Sequence, residues 1–308
     1  MSRHSRRQFL KRAAGAAAAS LAAPYVVPAS ARGADGTVSP SERIVMGAIG
    51  VGGRGGYVMG AFMGNKDVQM TAVCDVRGDR RQAAKGRVDK HYETGDCKPF
   101  LDFRELLARP DIDAVMIATG ENWHAIASMT AARAGKDIYS EKPPTHTIAE
   151  GRDLADTIQR LGTVYQCGTQ RRSITRFRYA ADLARSGALG QLKTLRAEGA
   201  GKITKPGYFS CPPEPTPPRE KVWWDMFLGP APWRPYNKKY LHSWKGHRDW
   251  QGGSISEWGS HTVDLCQMAM GADDTSPVQY DYIGDSGDRI RCRYACGVDL
   301  ILIDGSWP

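Results

Sequence analysis

The sequence has no Cys-x-x-Cys pair. Its seven cysteines, Cys74, Cys97, Cys167, Cys211, Cys266, Cys292 and Cys296, are scattered and odd in number. That spacing suggests no zinc site, and no metal is expected. Cys74 and Cys167 fall in apolar strand-like runs and read as packing residues. Cys292 and Cys296 would share a face if one strand ran through both, which leaves a disulfide open in an oxidising compartment. Basic stripes interleaved with aromatics are also absent. The formal charge is +9, but Arg3, Arg6, Arg7, Lys11 and Arg12 sit in a leader without acids, and the rest carries only +4. Nucleic acid is therefore not an expected partner. The apolar run Ala13 to Val27 is short and Ala-rich, so a permanent membrane span is not expected. No internal repeat is evident.

The leader reads Ser5-Arg6-Arg7-Gln8-Phe9-Leu10-Lys11, then the apolar run, then Ala29-Ser30-Ala31. Twin arginines, a modest apolar core and a small-residue cleavage pattern resemble a twin-arginine (Tat) signal over residues 1–31. Its plain alternative is a basic tail. The Tat machinery, which exports folded proteins, is then an expected partner, and the destination is periplasmic or extracellular. A folded protein can carry a cofactor through the membrane. Free dinucleotide is scarce outside the cytoplasm, so tight binding is expected.

The rest of the chain is organised around Arg43 to Asp75. An apolar run, Ile44 to Ile49, enters Gly50-x-Gly52-x-x-Gly55, and a second apolar run, Met70 to Cys74, ends on Asp75. This strand, glycine turn, helix and acid form a dinucleotide-binding pattern. Gly50 permits the turn, Gly52 admits the pyrophosphate and Gly55 allows close helix–sheet packing. The N–H groups at the helix start, around Gly53 and Arg54, hold phosphates. Asp75 accepts the adenosine ribose hydroxyls and favours NAD(H), because a carboxylate repels a 2′-phosphate. Arg77, Arg80 and Arg81 could neutralise that phosphate, so NADP(H) stays open.

Length (308 residues), 41% apolar content and 24% charge fit a soluble chain of about two domains. After a small polar linker at 32–42, strand and helix patterns alternate. Helices are expected at 79–92, 100–107, 123–134 and 149–161, and strands at 114–118, 137–140 and 164–167. This predicts an α/β fold with a doubly wound parallel sheet over 43–166. Thr119, Glu141, Lys142 and Gln170 fall at carboxyl ends of strands, where such sheets bind ligands. Over 167–308 the pattern predicts a helix at 177–186, a strand at 192–198 and a long ordered surface loop at 205–236. One helix then runs from Ile255 to Met270, followed by strands at 280–283, 289–294 and 298–303.

Ala48-Ile49-Gly50-Val51-Gly52-Gly53-Arg54-Gly55, Cys74-Asp75, Glu141-Lys142-Pro143 and Glu257-x-x-x-His261-x-x-Asp264 together resemble the Gfo/Idh/MocA oxidoreductases. Trp224-Asp225 through Leu228-Gly229-Pro230-Ala231-Pro232 resembles exported branches of that family. The resemblance implies a Rossmann domain and a C-terminal α+β domain. The open sheet of that second domain supports homo-oligomers and walls a sugar or cyclitol site. It implies that Lys142 contacts substrate and the nicotinamide side of the cofactor, and that His261 is the general base. Glu257, where the family has Asp, would share a helix face with His261 and tune it; Asp264 would hold substrate hydroxyls. Thr119-Gly120-Glu121-Asn122 departs from the family's Thr-Pro-Asn or Thr-Pro-Asp, while Trp123-His124 still follows as expected cofactor contacts. The second domain looks shortened.

Plain alternatives accompany each role. Lys142 could be a solvated lysine, His261 a histidine packed on Trp258, Glu257 a helix-face carboxylate, and His124 a packing residue. Arg171-Arg172 reads as a solvated pair, and the tryptophans at 223, 224, 233, 244 and 250 as mostly structural, one or two stacking on a sugar. The expected activity is hydride transfer between a CH–OH carbon and a bound nicotinamide. Two competitors are an NAD-dependent glycosidase of the same fold and a nucleotide-binding relative without turnover. Those glycosidases often lack the lysine at the Glu-Lys-Pro position, so Lys142 favours the oxidoreductase.

Overall fold

The computed structural model describes residues 38–197, 209–253, 255–283 and 289–303. Residues 1–43 and 44–308 form separate units. The twin-arginine motif, the cleavage pattern and most of the linker lie outside the described residues. Within the first unit, Pro40–Glu42 makes one 3-10 turn.

The second unit begins with the alternating pattern. Strands β1 (Ile44–Ile49), β2 (Val68–Cys74), β3 (Lys98–Phe100), β4 (Ala114–Ile117), β5 (Asp137–Ser140) and β6 (Tyr165–Cys167) form one parallel sheet. Its order is β3-β2-β1-β4-β5-β6, the doubly wound arrangement. The connecting helices are α1 (Gly53–Met63), α2 (Gly78–Tyr92), α3 (Phe103–Leu107), α4 (Glu121–Arg133) and α5 (Ile148–Leu161). Side chains alternate across the strands, so each face buries its own cluster. Met46, Ala48 and Val73 pack with Val58 and Met59 of α1 and Val88 of α2 on one face. Ile49 and Ile117 pack with Leu106 of α3 and Ala127 and Ala131 of α4 on the other. Phe100, expected to begin a helix, instead closes β3, because its backbone pairs with Cys74.

The second half contains α6 (Thr175–Arg185), β7 (Thr194–Ala197), α7 (Trp224–Leu228), α8 (Lys238–Ser243), α9 (Ser260–Met270), β8 (Gln279–Ile283), β9 (Arg289–Arg293) and β10 (Asp299–Ile303). Its four-stranded mixed sheet has the order β7-β10-β9-β8. Val263, Cys266 and Met270 of α9 cover one face, against Ala197, Cys292, Leu300 and Leu302. All seven cysteines are free thiols, and Cys296 is exposed beyond the end of β9, so the open disulfide does not form here.

Two expectations need correction. Residues 205–208 of the expected loop lie outside the described residues, and 209–221 is irregular and mostly exposed as expected, but 222–236 turns inward: it carries α7 and buries Val222, Trp224, Leu228 and Tyr236. Trp224, Tyr236, Tyr240 and Trp250 form a buried aromatic hub, with Trp224 stacked on Phe227. The hub is tied to the turn that follows β2: Trp223 N donates to Val76 O (3.0 Å) and Gly78 N to Lys221 O (2.9 Å). The expected single helix 255–270 is also split. Residues Ile255–Gly259 form a π-helical turn, and α9 begins only at Ser260.

Candidate functional site

A cleft of about 600 Å³ opens at the carboxyl ends of β1, β2, β4 and β5. At one end lies the glycine turn. Gly50 has φ +79°, and a Cβ there would meet the backbone of Ala118 and Thr119 at 2.7 Å. A Cβ on Gly55 would lie 1.8 Å from Gly50 O, so only glycine fits where α1 meets the strand. Gly53, by contrast, faces open space. Helix α1 starts there with no side-chain cap, leaving its first N–H groups directed to the cleft end.

Asp75 closes that end. Its buried carboxylate accepts from Val51 N (3.0 Å) and Arg77 N (2.9 Å). Burial pushes its pKa up, against the pull of those two N–H groups and of Arg80 and Arg77. Of the three nearby arginines only Arg80 lines the cleft. Arg77 pairs with Asp79, and Arg81 donates to the main-chain oxygens of Asp75 and Glu220. An uncapped helix start, a cradle closed to any side chain but glycine, and an acid at the next strand end together fit a dinucleotide.

The other end of the cleft gathers Glu141, Lys142, His124, Glu257 and His261. Glu141, at the end of β5, is buried and takes both Arg54 Nε and Nη2 at 2.8 Å. With its amide turned to donate to Gly168 O, Gln170 also accepts from Arg54, at 2.8 Å. These expected cofactor contacts therefore bind one another at the cleft wall. His124 donates from Nδ1 to Pro143 O (2.6 Å), leaving buried Nε2 without a protein partner. Burial holds its pKa down. Trp123 lines the cleft, but its indole N–H is spent on Met226 O (2.8 Å).

Lys142 is half-buried and donates from Nζ to the main-chain oxygen of Glu257 (2.5 Å). Burial lowers its pKa, against the opposing charges of Glu257, Glu141 and Glu121. His261 is 5% exposed, and its Nδ1 has no protein partner. Burial, then Lys142, Arg171 and Arg54, push its pKa down to about 4. A neutral imidazole among cations is in the form a base requires at neutral pH.

The cleft thus gathers all the expected site residues except Asp264. The Asp264 carboxylate is taken by Arg172 Nε at 2.9 and 2.8 Å, and Arg172 also binds Asp273. In this structure Asp264 lies off the cleft wall, and its pairing with Arg172 anchors α9. Arg172 is likewise a structural partner rather than a solvated residue, and Arg171 lines the cleft beside the Trp258 ring. Glu257 lines the cleft with His261, but no hydrogen bond joins the two. Its carboxylate binds Lys245 and Gln251 Nε2, because the π turn breaks the four-residue spacing to His261.

Sequence reasoning missed Glu121. It lines the cleft, is 5% exposed, and accepts from Gly252 N and Ser256 Oγ, both at 3.0 Å. Its one local signal was an acid on the first turn of a helix directly after a strand end. Trp258, about half-exposed at the cleft, was noted only as packing for His261.

Two family models match: an oxidoreductase family NAD-binding Rossmann fold over residues 44–169, and the same family's C-terminal alpha/beta domain over 194–306. The chain belongs to the Gfo/Idh/MocA family. Among curated relatives, a glycosyl hydrolase family 109 protein of Saccharopolyspora erythraea is 33% identical over 173 residues. That stretch is 51% of this chain and 37% of the relative. A Shewanella oneidensis protein named alpha-N-acetylgalactosaminidase matches at 33% over 174 residues, 50% of this chain and 37% of that protein. The aligned stretch thus spans well under half the length of these relatives. Among solved structures, myo-inositol 2-dehydrogenase from Lactobacillus plantarum superposes with a TM-score of 0.61 at 18% identity, covering 86% of this chain and 70% of that one. GenD2 from gentamicin A biosynthesis, solved in complex with NAD, gives 0.60 at 18%, covering 92% and 70%. At such identities the likeness is one of fold: an NAD-binding Rossmann fold of the oxidoreductase type.

Proposed function

We propose that this Gfo/Idh/MocA protein is an exported NAD(P)-dependent oxidoreductase acting on a CH–OH carbon of a sugar or cyclitol. The observation that carries this reading is the convergence of Lys142 and His261 on a cleft whose far end is the glycine cradle. The nicotinamide, when bound, supplies the hydride acceptor or donor. Lys142, held on the Glu257 carbonyl, orients and polarises the reacting hydroxyl. His261, kept neutral, takes the hydroxyl proton in the oxidative direction and returns it in the reductive one. Asp75 favours NAD(H) over NADP(H). Export rests on the twin-arginine leader, and self-association on the small second sheet. Tight cofactor binding follows from the scarcity of free dinucleotide outside the cytoplasm.

The test begins with folded protein freed of its leader. Denaturation and mass spectrometry should release stoichiometric NAD or NADP, and a sugar and cyclitol screen should then change the bound nicotinamide absorbance. Protein that releases no nucleotide, and takes up none when it is added back, would sink the reading.

A second reading has support in the glycosyl hydrolase names of the curated relatives. It is an NAD-dependent glycosidase that oxidises transiently and eliminates the aglycone. Release of aryl alcohol from an aryl α-N-acetylgalactosaminide, without net formation of reduced nicotinamide, would select it. Net reduced nicotinamide from a free sugar or cyclitol would select the oxidoreductase. Lys142 favours the latter.

A further inference from the structure

Glu121 opens α4 just beyond the end of β4, on the cofactor side of the cleft. Its Oε2 reaches across the cleft to the second half of the chain. There it accepts from Gly252 N and from Ser256 Oγ, each at 3.0 Å. Ser256 lies within the π turn Ile255–Gly259, and the next residue, Glu257, offers its main-chain oxygen to Lys142 Nζ. Ser260, which follows the turn, donates its hydroxyl to Ser256 O, and His261 comes directly after it. One carboxylate oxygen therefore fixes the turn that holds Lys142 and leads into His261.

We propose that Glu121 is a positioning residue: it fixes the 255–259 turn from the cofactor side and thereby sets Lys142 against His261. This deepens the function proposed above and rests on Lys142 being the group that meets substrate. The energetics favour such a role over a passive contact. A carboxylate with 5% exposure is costly to bury unless it is hydrogen-bonded, and its bonds are charge-assisted. Its place on the first turn of α4 adds the favourable end of the helix dipole. Burial raises the pKa of Glu121, while Gly252 N–H, the Ser256 hydroxyl and Lys142 pull it down. The charges that act on Lys142 are those of Glu257 and Lys245 from the second half, its neighbour Glu141, and Glu121 itself. The Lys245 charge is itself engaged by the Glu257 carboxylate. A loose turn would thus displace both the acceptor and the strongest opposing charge of Lys142.

The test compares E121A, E121Q and S256A in the full chain, with exchange read without added substrate and turnover read with the substrate found in the screen above. Amide hydrogen exchange over residues 255–259 is the first readout, and the second is turnover set against nucleotide affinity. In E121A, exchange in the turn should rise about tenfold while strands β1, β4 and β5 keep parental rates. Turnover should fall about tenfold or more with nucleotide affinity unchanged. E121Q keeps an oxygen that can accept both bonds, so it should protect the turn and restore turnover to within about threefold of the parent. Parental exchange in E121A overturns the proposal. So does an E121Q that protects the turn yet loses as much turnover as E121A, because charge rather than position would then be the cause. If E121A fails to fold, S256A must speed exchange in the turn, and a parental rate there overturns the proposal. Exchange is read without chemistry. An inactive parent whose turn loosens in E121A would sink the oxidoreductase reading and keep only the hold of Glu121 on the turn; an active parent whose turn ignores Glu121 would sink that hold and keep the reading.

Discussion

The two halves of the chain are built on different terms. The six-stranded sheet is covered on both faces by buried clusters, and its ligand end is shaped by backbone: strand ends, a positive φ at Gly50, an uncapped helix. The four-stranded sheet carries α9 on one face. It relies on charge pairs such as Arg291–Asp281 and Arg293–Asp299, and its edge strand β8 leaves Tyr280 and Tyr282 exposed. Contacts that complete the site reach back from this second half through side chains: Lys142 to the Glu257 carbonyl, Glu121 to Gly252 and Ser256. Cofactor binding should therefore fail with backbone changes in the first half. Chemistry should fail with side-chain changes at the seam, and the two failures should separate.

The largest expected effect is at Gly55. Gly55→Val adds carbon 1.8 Å from Gly50 O, and a backbone atom cannot rotate away. We expect nucleotide binding to disappear and stability to fall by at least about 3 kcal/mol. Calorimetric titration and thermal unfolding check this. Parental affinity in the valine variant would break the contrast at its base. Next come Lys142→Ala and His261→Ala, each expected to lower turnover about 10²- to 10⁴-fold with nucleotide still bound. Full activity in both would remove the proposed mechanism.

The contrast also explains what could be read from sequence. The glycine turn and its strands were legible because their signals are local: Ile44 to Ile49 is strand in both readings, and Gly50, Gly52 and Gly55 carry their reasons within six positions, whereas the three-residue β3 was not. Lys142 and His261 were legible only through motifs. The partners of Asp264 and Glu257 were not legible, since Arg172, Lys245 and Gln251 come from other elements and a π turn shifted the helix phase. Glu121 was hidden for the same reason: its meaning lies 131 and 135 positions away. The inner part of the Trp- and Pro-rich stretch read as loop, because only tertiary packing turns Trp224 and Tyr236 into a core.

A pH experiment sharpens the seam side. His261 has its pKa pushed down to about 4, below the ordinary histidine value of about 6.5. The base form then persists as pH falls, so turnover should stay flat from neutrality to near pH 5. An unperturbed histidine would already have lost most of it. Between about pH 6.5 and 4 the unfolded chain binds a proton that the folded histidine refuses, so stability contributed here declines as pH drops. His261→Gln should lessen that decline in urea unfolding compared across the window. An acid limb near 6.5 in the parent would contradict the geometry around His261. A smaller effect is expected at Asp264. Asp264→Asn weakens the hold of Arg172 on α9 and should cost about 1–2 kcal/mol in unfolding, with substrate KM unchanged. A KM rise of tenfold would return Asp264 to the substrate site.

The smallest effect tests the cofactor half at its rim. A Cβ on Gly52 would meet Arg80 Nη1 at 2.6 Å, so the guanidinium lies across the glycine loop, beside Asp75 and on the cleft wall. Arg77 and Arg81 are engaged elsewhere. Whatever tolerance there is for a 2′-phosphate must then come from Arg80, against the repulsion of Asp75. Arg80→Ala should weaken NADP binding about threefold to tenfold and leave NAD within about twofold, because a partly solvated cation contributes only modestly. Titration of both nucleotides at two salt concentrations separates the outcomes. A loss confined to NADP and reduced by salt assigns the arginine to the phosphate. An equal loss for both assigns it to the shape of the glycine loop, and would mean that even in the backbone-built half one side chain holds the cradle in place.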